Sequence, residues 1–168
     1  SLHTMKLPFL FVALLCSLAP ALVAGCGKFA HASCELEWAF TADCSTVLAA
    51  LAPQFNPGMP SCKISTIQAS YQNYTLDSID KDNMVITGHI IFSDKYVDTQ
   101  TISLSASGSG CVATACSTSN SLSYYDYSAN FCDTHNIARC SGLPFKETIK
   151  TCRFHPDSGK EDSYCDGQ

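Results

Sequence analysis

Eleven cysteines in 168 residues constrain this chain more than any other feature. Cys16 lies in an apolar N-terminal stretch. The other ten are Cys26, Cys34, Cys44, Cys62, Cys111, Cys116, Cys132, Cys140, Cys152 and Cys165. Thiols at this density are rare in a reducing cytosol and common in secreted domains, so the sequence predicts five disulfides formed in an oxidising compartment. Sequence cannot choose their pairing. No cysteine falls between Cys62 and Cys111, and six fall from Cys111 onward. The middle of the chain must therefore cohere through a sheet and a core. From Asp126 the chain reads as irregular, held mainly by bridges worth about 2–4 kcal/mol each.

The first 25 residues read as a signal peptide. Ser1 to Thr4 look like sequence upstream of a start at Met5; Lys6 then precedes an apolar run over residues 7–18, and Pro20 and small residues suit cleavage after Ala24 or Gly25. Two other readings exist. Val23-Ala24-Gly25-Cys26 has the pattern of a lipobox, but acylating Cys26 would leave nine cysteines, an odd number outside the cell. Residues 7–25 could also span a bilayer as a retained anchor. With cleavage no span remains, and residues 26–168 form a single secreted domain. That part holds nine basic and fifteen acidic residues, a net charge of −6, with no Lys/Arg cluster. Nucleic acid and anionic membrane surfaces are thereby disfavoured as partners, since both demand concentrated positive charge.

The apolar residues Leu36, Phe40, Cys44, Val47 and Leu51 recur at helical steps, and Ser33 and the acidic first turn suit a helix start. A helix over 33–52 is therefore expected, ended by Pro53. Strands are expected over 64–76, 84–92, 96–106 and 111–125, with turns at 80–83, 93–95 and 108–110. The predicted fold is α+β: one N-terminal helix packed on an antiparallel sheet of about four strands, a cystatin-like or similar roll, followed by a stapled irregular third. The cystatin likeness is architectural; the inhibitory Gln-x-Val-x-Gly of that family is absent.

Serine at alternate positions is the most distinctive pattern. Ser103, Ser105, Ser107 and Ser109 share parity, as do Ser117, Ser119, Ser121 and Ser123. If both runs are strands, one sheet face carries an array of small hydroxyls, either simply solvated or used for recognition or self-assembly. Ser103, Ser105, Ser119 and Ser121 are its candidate contact residues. Tyr124, Tyr125 and Tyr127 form an aromatic cluster that either covers a small core or makes a binding platform. Asn73-Tyr74-Thr75 is an N-glycosylation sequon.

His135 is the candidate catalytic residue. Cys132-Asp133-Thr134-His135 resembles the secreted phospholipase A2 motif, which implies a histidine that activates water. Here the aspartate precedes the histidine instead of following it, and no glycine-rich calcium loop lies upstream. Cys132, His135 and Cys140 are zinc-ligand types, but the chain has no C-x-x-C pair, so neither a metal nor a cofactor is expected. Asp77, Asp80, Asp82 and Asn83 lack EF-hand spacing and read as a turn. Residues 116–132 are similar to a stretch of uncharacterised secreted cysteine-rich proteins of eukaryotic algae and other protists, which implies secretion and no particular activity.

The expected function is a secreted, non-enzymatic binding or structural module, meeting a protein or glycan at a cell surface or another copy of itself. The alternatives are a small secreted hydrolase using His135, and an inhibitor or toxin-like effector presenting residues 78–83.

Overall fold

The computed structural model describes residues 26–27, 30–56, 72–92 and 95–166. The leader, Cys62 and the first part of the strand expected over 64–76 lie outside them. The strands are β1 (Ser33–Phe40), β2 (Gln72–Asp80), β3 (Val85–Phe92), β4 (Tyr96–Ser107), β5 (Gly110–Ser119) and β6 (Phe145–Cys152). Among the described residues the helices are α1 (Cys44–Leu51), which runs into a 3-10 turn (Ala52–Phe55), α2 (Ala129–Cys140) and α3 (Glu161–Asp166). The strands form one antiparallel sheet in the order β2-β3-β4-β5-β1-β6. The antiparallel sheet with helices matches the expected class. The count of one helix and four strands does not.

The largest departure is at residues 33–40, expected as helix and found as β1. Leu36 and Phe40 lie four apart, a step that suits a 3.6-residue period and a period of two equally well. Trp38 separates the two readings. It fell off the helical stripe, yet in a strand it shares a face with Cys34, Leu36 and Phe40, and all four are buried. Glu35 and Glu37 take the other face. The helix starts only at Cys44, where Asp43 is the N-cap and accepts from the Thr46 backbone N–H at 3.0 Å. Bonds to Ser45 and Thr46 hold the Asp43 carboxyl well below the usual carboxylate range.

The core lies on one face of the sheet. The 3-10 turn seats Phe55 against β3 at Gly88, where a Cβ would come 2.3 Å from the Phe55 ring. Helix α2 packs on β1 and β5. Its close approach to β5 is allowed by the small side chains of Ala113, Ala115 and Ser117, all fully buried.

The C-terminal third is not irregular. It holds α2, β6 paired along β1, and α3. It lacks much aliphatic residue because α2 buries polar side chains: Asn130, Asp133, Thr134, His135 and Asn136 lie inside with Phe131 and Ile137. Such burial is tolerated where the groups bond one another. Gln100 donates to Ser117 Oγ at 2.7 Å, Ser117 donates to Asn130 Oδ1, and Thr134 donates to Gln100 Oε1 at 3.2 Å.

Four disulfides join described residues: Cys26–Cys116, Cys34–Cys152, Cys44–Cys111 and Cys132–Cys165. Cys140 is disulfide-bonded as well. The pairings tie the N-terminal segment to β5, β1 to β6, α1 to β5, and α2 to α3. The bond from Cys26 to Cys116 engages the sulfur that a lipid would need in the lipobox reading.

Candidate functional site

The two serine runs lie on opposite faces of the sheet. Ser103, Ser105 and Ser107 point outward and are exposed, while Ile102 and Leu104 point into the core. Ser103 pairs with Thr114 and Leu104 with Ala113. This register sends Cys111, Ala113, Ala115, Ser117 and Ser119 inward, so both serines are buried, Ser117 against Asn130 of α2 and Ser119 against Asp98 of β4. Ser121 lies beyond the end of β5. The single array expected from Ser103, Ser105, Ser119 and Ser121 does not exist, because parity fixes only which residues within one run share a face, and the register between runs fixes which face that is.

The tyrosines stand in the segment that links β5 to α2, and this segment is fixed at several points. His31 bridges to Ser123, and His31 Nδ1 lies 2.7 Å from the Ser119 carbonyl. Asn120 N–H donates to the Val97 carbonyl at 2.8 Å, and the Ser123 hydroxyl donates to the Tyr125 carbonyl at 3.1 Å. Asp126 closes the segment by accepting from the backbone N–H groups of Ser128 and Asn130, both at 3.2 Å, and from Asn130 Nδ2 at 2.8 Å. Tyr127 and Ser128 both adopt left-handed φ, 50° and 66°. Two consecutive non-glycine residues in that region are uncommon and cost on the order of 1–2 kcal/mol each. The surrounding bonds hold this conformation, which turns Tyr127 outward at 77% exposure, beside Tyr125 at 64% and Tyr124 at 55%.

Residues distant in sequence complete the patch. Arg153 stacks its guanidinium 3.5 Å from the centre of the Tyr124 ring, and Phe154 packs on Tyr125 at 5.2 Å between centroids. Tyr124 and Tyr125 meet edge to face at 5.4 Å. Tyr164 on α3 donates its hydroxyl to the Tyr127 carbonyl at 3.4 Å, and Leu122 is 82% exposed. Sequence reasoning had the three loop tyrosines but not Arg153, Phe154 or Tyr164. Nothing local in the sequence marks these three, because β6 and α3 bring them to the loop.

His135 sits elsewhere, inside the molecule. Its ring stacks on Phe131 at 5.4 Å and meets Phe145 edge-on at 6.4 Å. Nδ1 lies 3.0 Å from Glu147 Oε2, and Nε2 lies 2.8 Å from Asp162 Oδ1. Burial alone would lower its pKa, but the bonds and charges of Glu147, then of Asp162, raise it above the ordinary histidine value. Both ring nitrogens are thus engaged by carboxylates, and neither is left free to take a proton from water as a general base must. The phospholipase-like motif supplies the ring, while its partners come from β6 and α3 rather than from an adjacent aspartate. Cys132 and Cys140 are both in disulfides.

Asp80 Oδ1 accepts from the Asp82 and Asn83 N–H groups at 3.1 and 3.0 Å, closing the β2–β3 turn. Ser78 to Asp80 belong to β2, so the loop considered for an effector is a short hairpin. Asn73 is exposed on β2, the strand at the end of the sheet order. No helix among the described residues is long and apolar enough to cross a membrane. Comparison with protein-family models and with curated proteins finds no match to this chain.

Proposed function

We propose that this chain is a secreted, disulfide-stabilised, non-enzymatic binding module whose contact surface is the tyrosine loop, and that its partner is a protein at a cell surface. The disulfides support an extracellular setting. One observation carries the rest: left-handed backbone at Tyr127 and Ser128 leaves the Tyr127 side chain in solvent, in the same hydrogen-bonded segment as the exposed Tyr125 and as the Tyr124 on which Arg153 stacks. Tyrosine and arginine are the residues that dominate protein interfaces, and fixing them beforehand lowers the entropy lost on binding. Backbone strain of this kind gathers where function requires it. The largely exposed Leu122, two residues before Tyr124 in the same segment, favours a protein over a sugar, because an exposed aliphatic side chain suits the apolar centre of an interface. A glycan at Asn73 would stand on β2.

The test is saturable binding of the labelled protein to intact cells of its source. Tyr125→Ala and Tyr127→Ala are expected to weaken binding at least tenfold with folding unchanged. Mild protease treatment of the cells should abolish binding, and periodate oxidation of their glycans should spare it. Equal binding by the variants removes the surface assignment. Loss on periodate with resistance to protease makes the partner a glycan.

A further inference from the structure

Helix α3 carries Tyr164 to the edge of the tyrosine patch, and three attachments hold it to α2. Cys132–Cys165 is covalent. Arg139 pairs with Asp166 at 2.8 Å and with Asp162 at 3.6 Å. His135 Nε2 meets Asp162 Oδ1 at 2.8 Å. On the other side of α3 the Tyr164 hydroxyl reaches the Tyr127 carbonyl.

A neutral imidazole has one N–H, and an ionised carboxylate only accepts. Only the imidazolium can therefore donate to Glu147 and Asp162 together. The two carboxylates differ in what they can do when the ring loses a proton. The Glu147 side chain is 13% exposed and also accepts from the Trp38 indole, so it is held in place. The Asp162 side chain is 69% exposed and can turn to water. The remaining proton thus stays on Nδ1, facing Glu147, and the bond from Nε2 to Asp162 is the one that breaks.

We infer that His135 is a positioning residue for the patch: as an imidazolium it fixes α3, and with it Tyr164 against Tyr127, and its deprotonation releases Asp162 and loosens that edge. The charged groups bearing on the ring are Glu147 from β6, Asp162 from α3 and Arg139 one turn along α2, which also holds Asp166; His155 lies tilted, 6.5 Å between centroids, from Phe131, on whose ring His135 stacks. The disulfide and Arg139 keep α3 attached in either state, so the change is a local loosening. The raised pKa of the ring, described above, puts the transition on the alkaline side of the usual histidine range. The relevance to binding rests on the patch being the contact surface; the switch itself does not.

Hydrogen exchange of the Tyr164 and Cys165 amides, corrected for intrinsic rates, tests the switch between pH 5.5 and 9 in the full, oxidised protein; the Tyr164 N–H donates to the Lys160 carbonyl at 2.8 Å. Protection is expected to fall about tenfold, the weight of one charge-assisted hydrogen bond, with the midpoint of the His135 ring titration followed by NMR. Asp162→Asn should keep α3 protected and erase the pH response, because a carboxamide can accept from an N–H or donate to a bare ring nitrogen. Protection that ignores the His135 titration, a ring that fails to titrate below pH 9, or a response that survives in Asp162→Asn overturns the inference. If protection shifts as expected while cell binding does not depend on Tyr125 and Tyr127, the switch stands and the binding surface lies elsewhere.

Discussion

Trp38 donates its indole N–H at 2.9 Å to Glu147 Oε2, the same carboxylate oxygen that faces His135 Nδ1 at 3.0 Å. The two residues are direct partners across β1 and β6. A carboxylate turned inward from a strand would be costly alone; here a neutral donor and a cationic one converge on it, and the aromatic rings around it exclude water.

Folding stability should therefore depend on pH through His135. A histidine whose folded pKa exceeds its unfolded value contributes fully below the unfolded value, near 6.5, and loses that contribution as pH rises through the folded value. Denaturation curves from pH 6 to 9 should show stability falling on the alkaline limb. His135→Gln should flatten that limb. An alkaline limb unchanged in His135→Gln would place the dependence on another group.

Gly88 should not tolerate even a methyl group. A Cβ there would meet the Phe55 ring at 2.3 Å and the Thr75 carbonyl oxygen at 2.6 Å, and a backbone oxygen in a paired strand cannot move aside. Gly88→Ala is expected to cost about 2–3 kcal/mol by overpacking. Gly108→Ala meets nothing within 4 Å and serves as the comparison, losing only what its left-handed φ demands. Urea denaturation of both variants gives the two values directly.

Some of this fold was legible in the sequence and some was not, for physical reasons. The hairpins β3–β4 and β4–β5 follow from alternation and turn residues, and Asp80 to Asn83 form the turn their composition suggested. The step of four between Leu36 and Phe40 fits helix and strand alike, and only the burial of Trp38 decides it. Alternation puts Ser103 and Ser105 on one face and Ser117 and Ser119 on one face, but not the same face, because strand register is a property of two segments. For the site, Tyr124, Tyr125 and Tyr127 could be read locally. Arg153 and Tyr164, like the partners of His135, are set by the pairing of β1 with β6 and by the Cys132–Cys165 bond. Neither is visible before the topology is known.

Asp98 gives a prediction of opposite origin. Burial lifts its carboxyl to about 6; a hydrogen bond from Ser119 opposes the rise and the charge of Asp126 adds to it. An acid with a raised folded pKa binds its proton more tightly when folded, so stability is greater in acid and falls as pH rises from about 4 to 6. Asp98→Asn removes that penalty. At pH 7 it should be more stable than the parent by about 3 kcal/mol, with the advantage gone below pH 4. Paired thermal melts at the two pH values measure the difference.

The claim that the tyrosine loop is where this protein meets its partner is tested most directly by titrating source cells with labelled parent and with the Tyr125→Ala/Tyr127→Ala double variant. Interface anchors of this type contribute 2 kcal/mol or more, so half-saturation should rise about thirtyfold or binding should vanish. Thermal stability should change little, since both side chains are largely exposed and the ring contacts given up are those of Tyr125 with Tyr124 and Phe154 at the surface. Superimposable binding curves for two equally stable proteins would contradict the account.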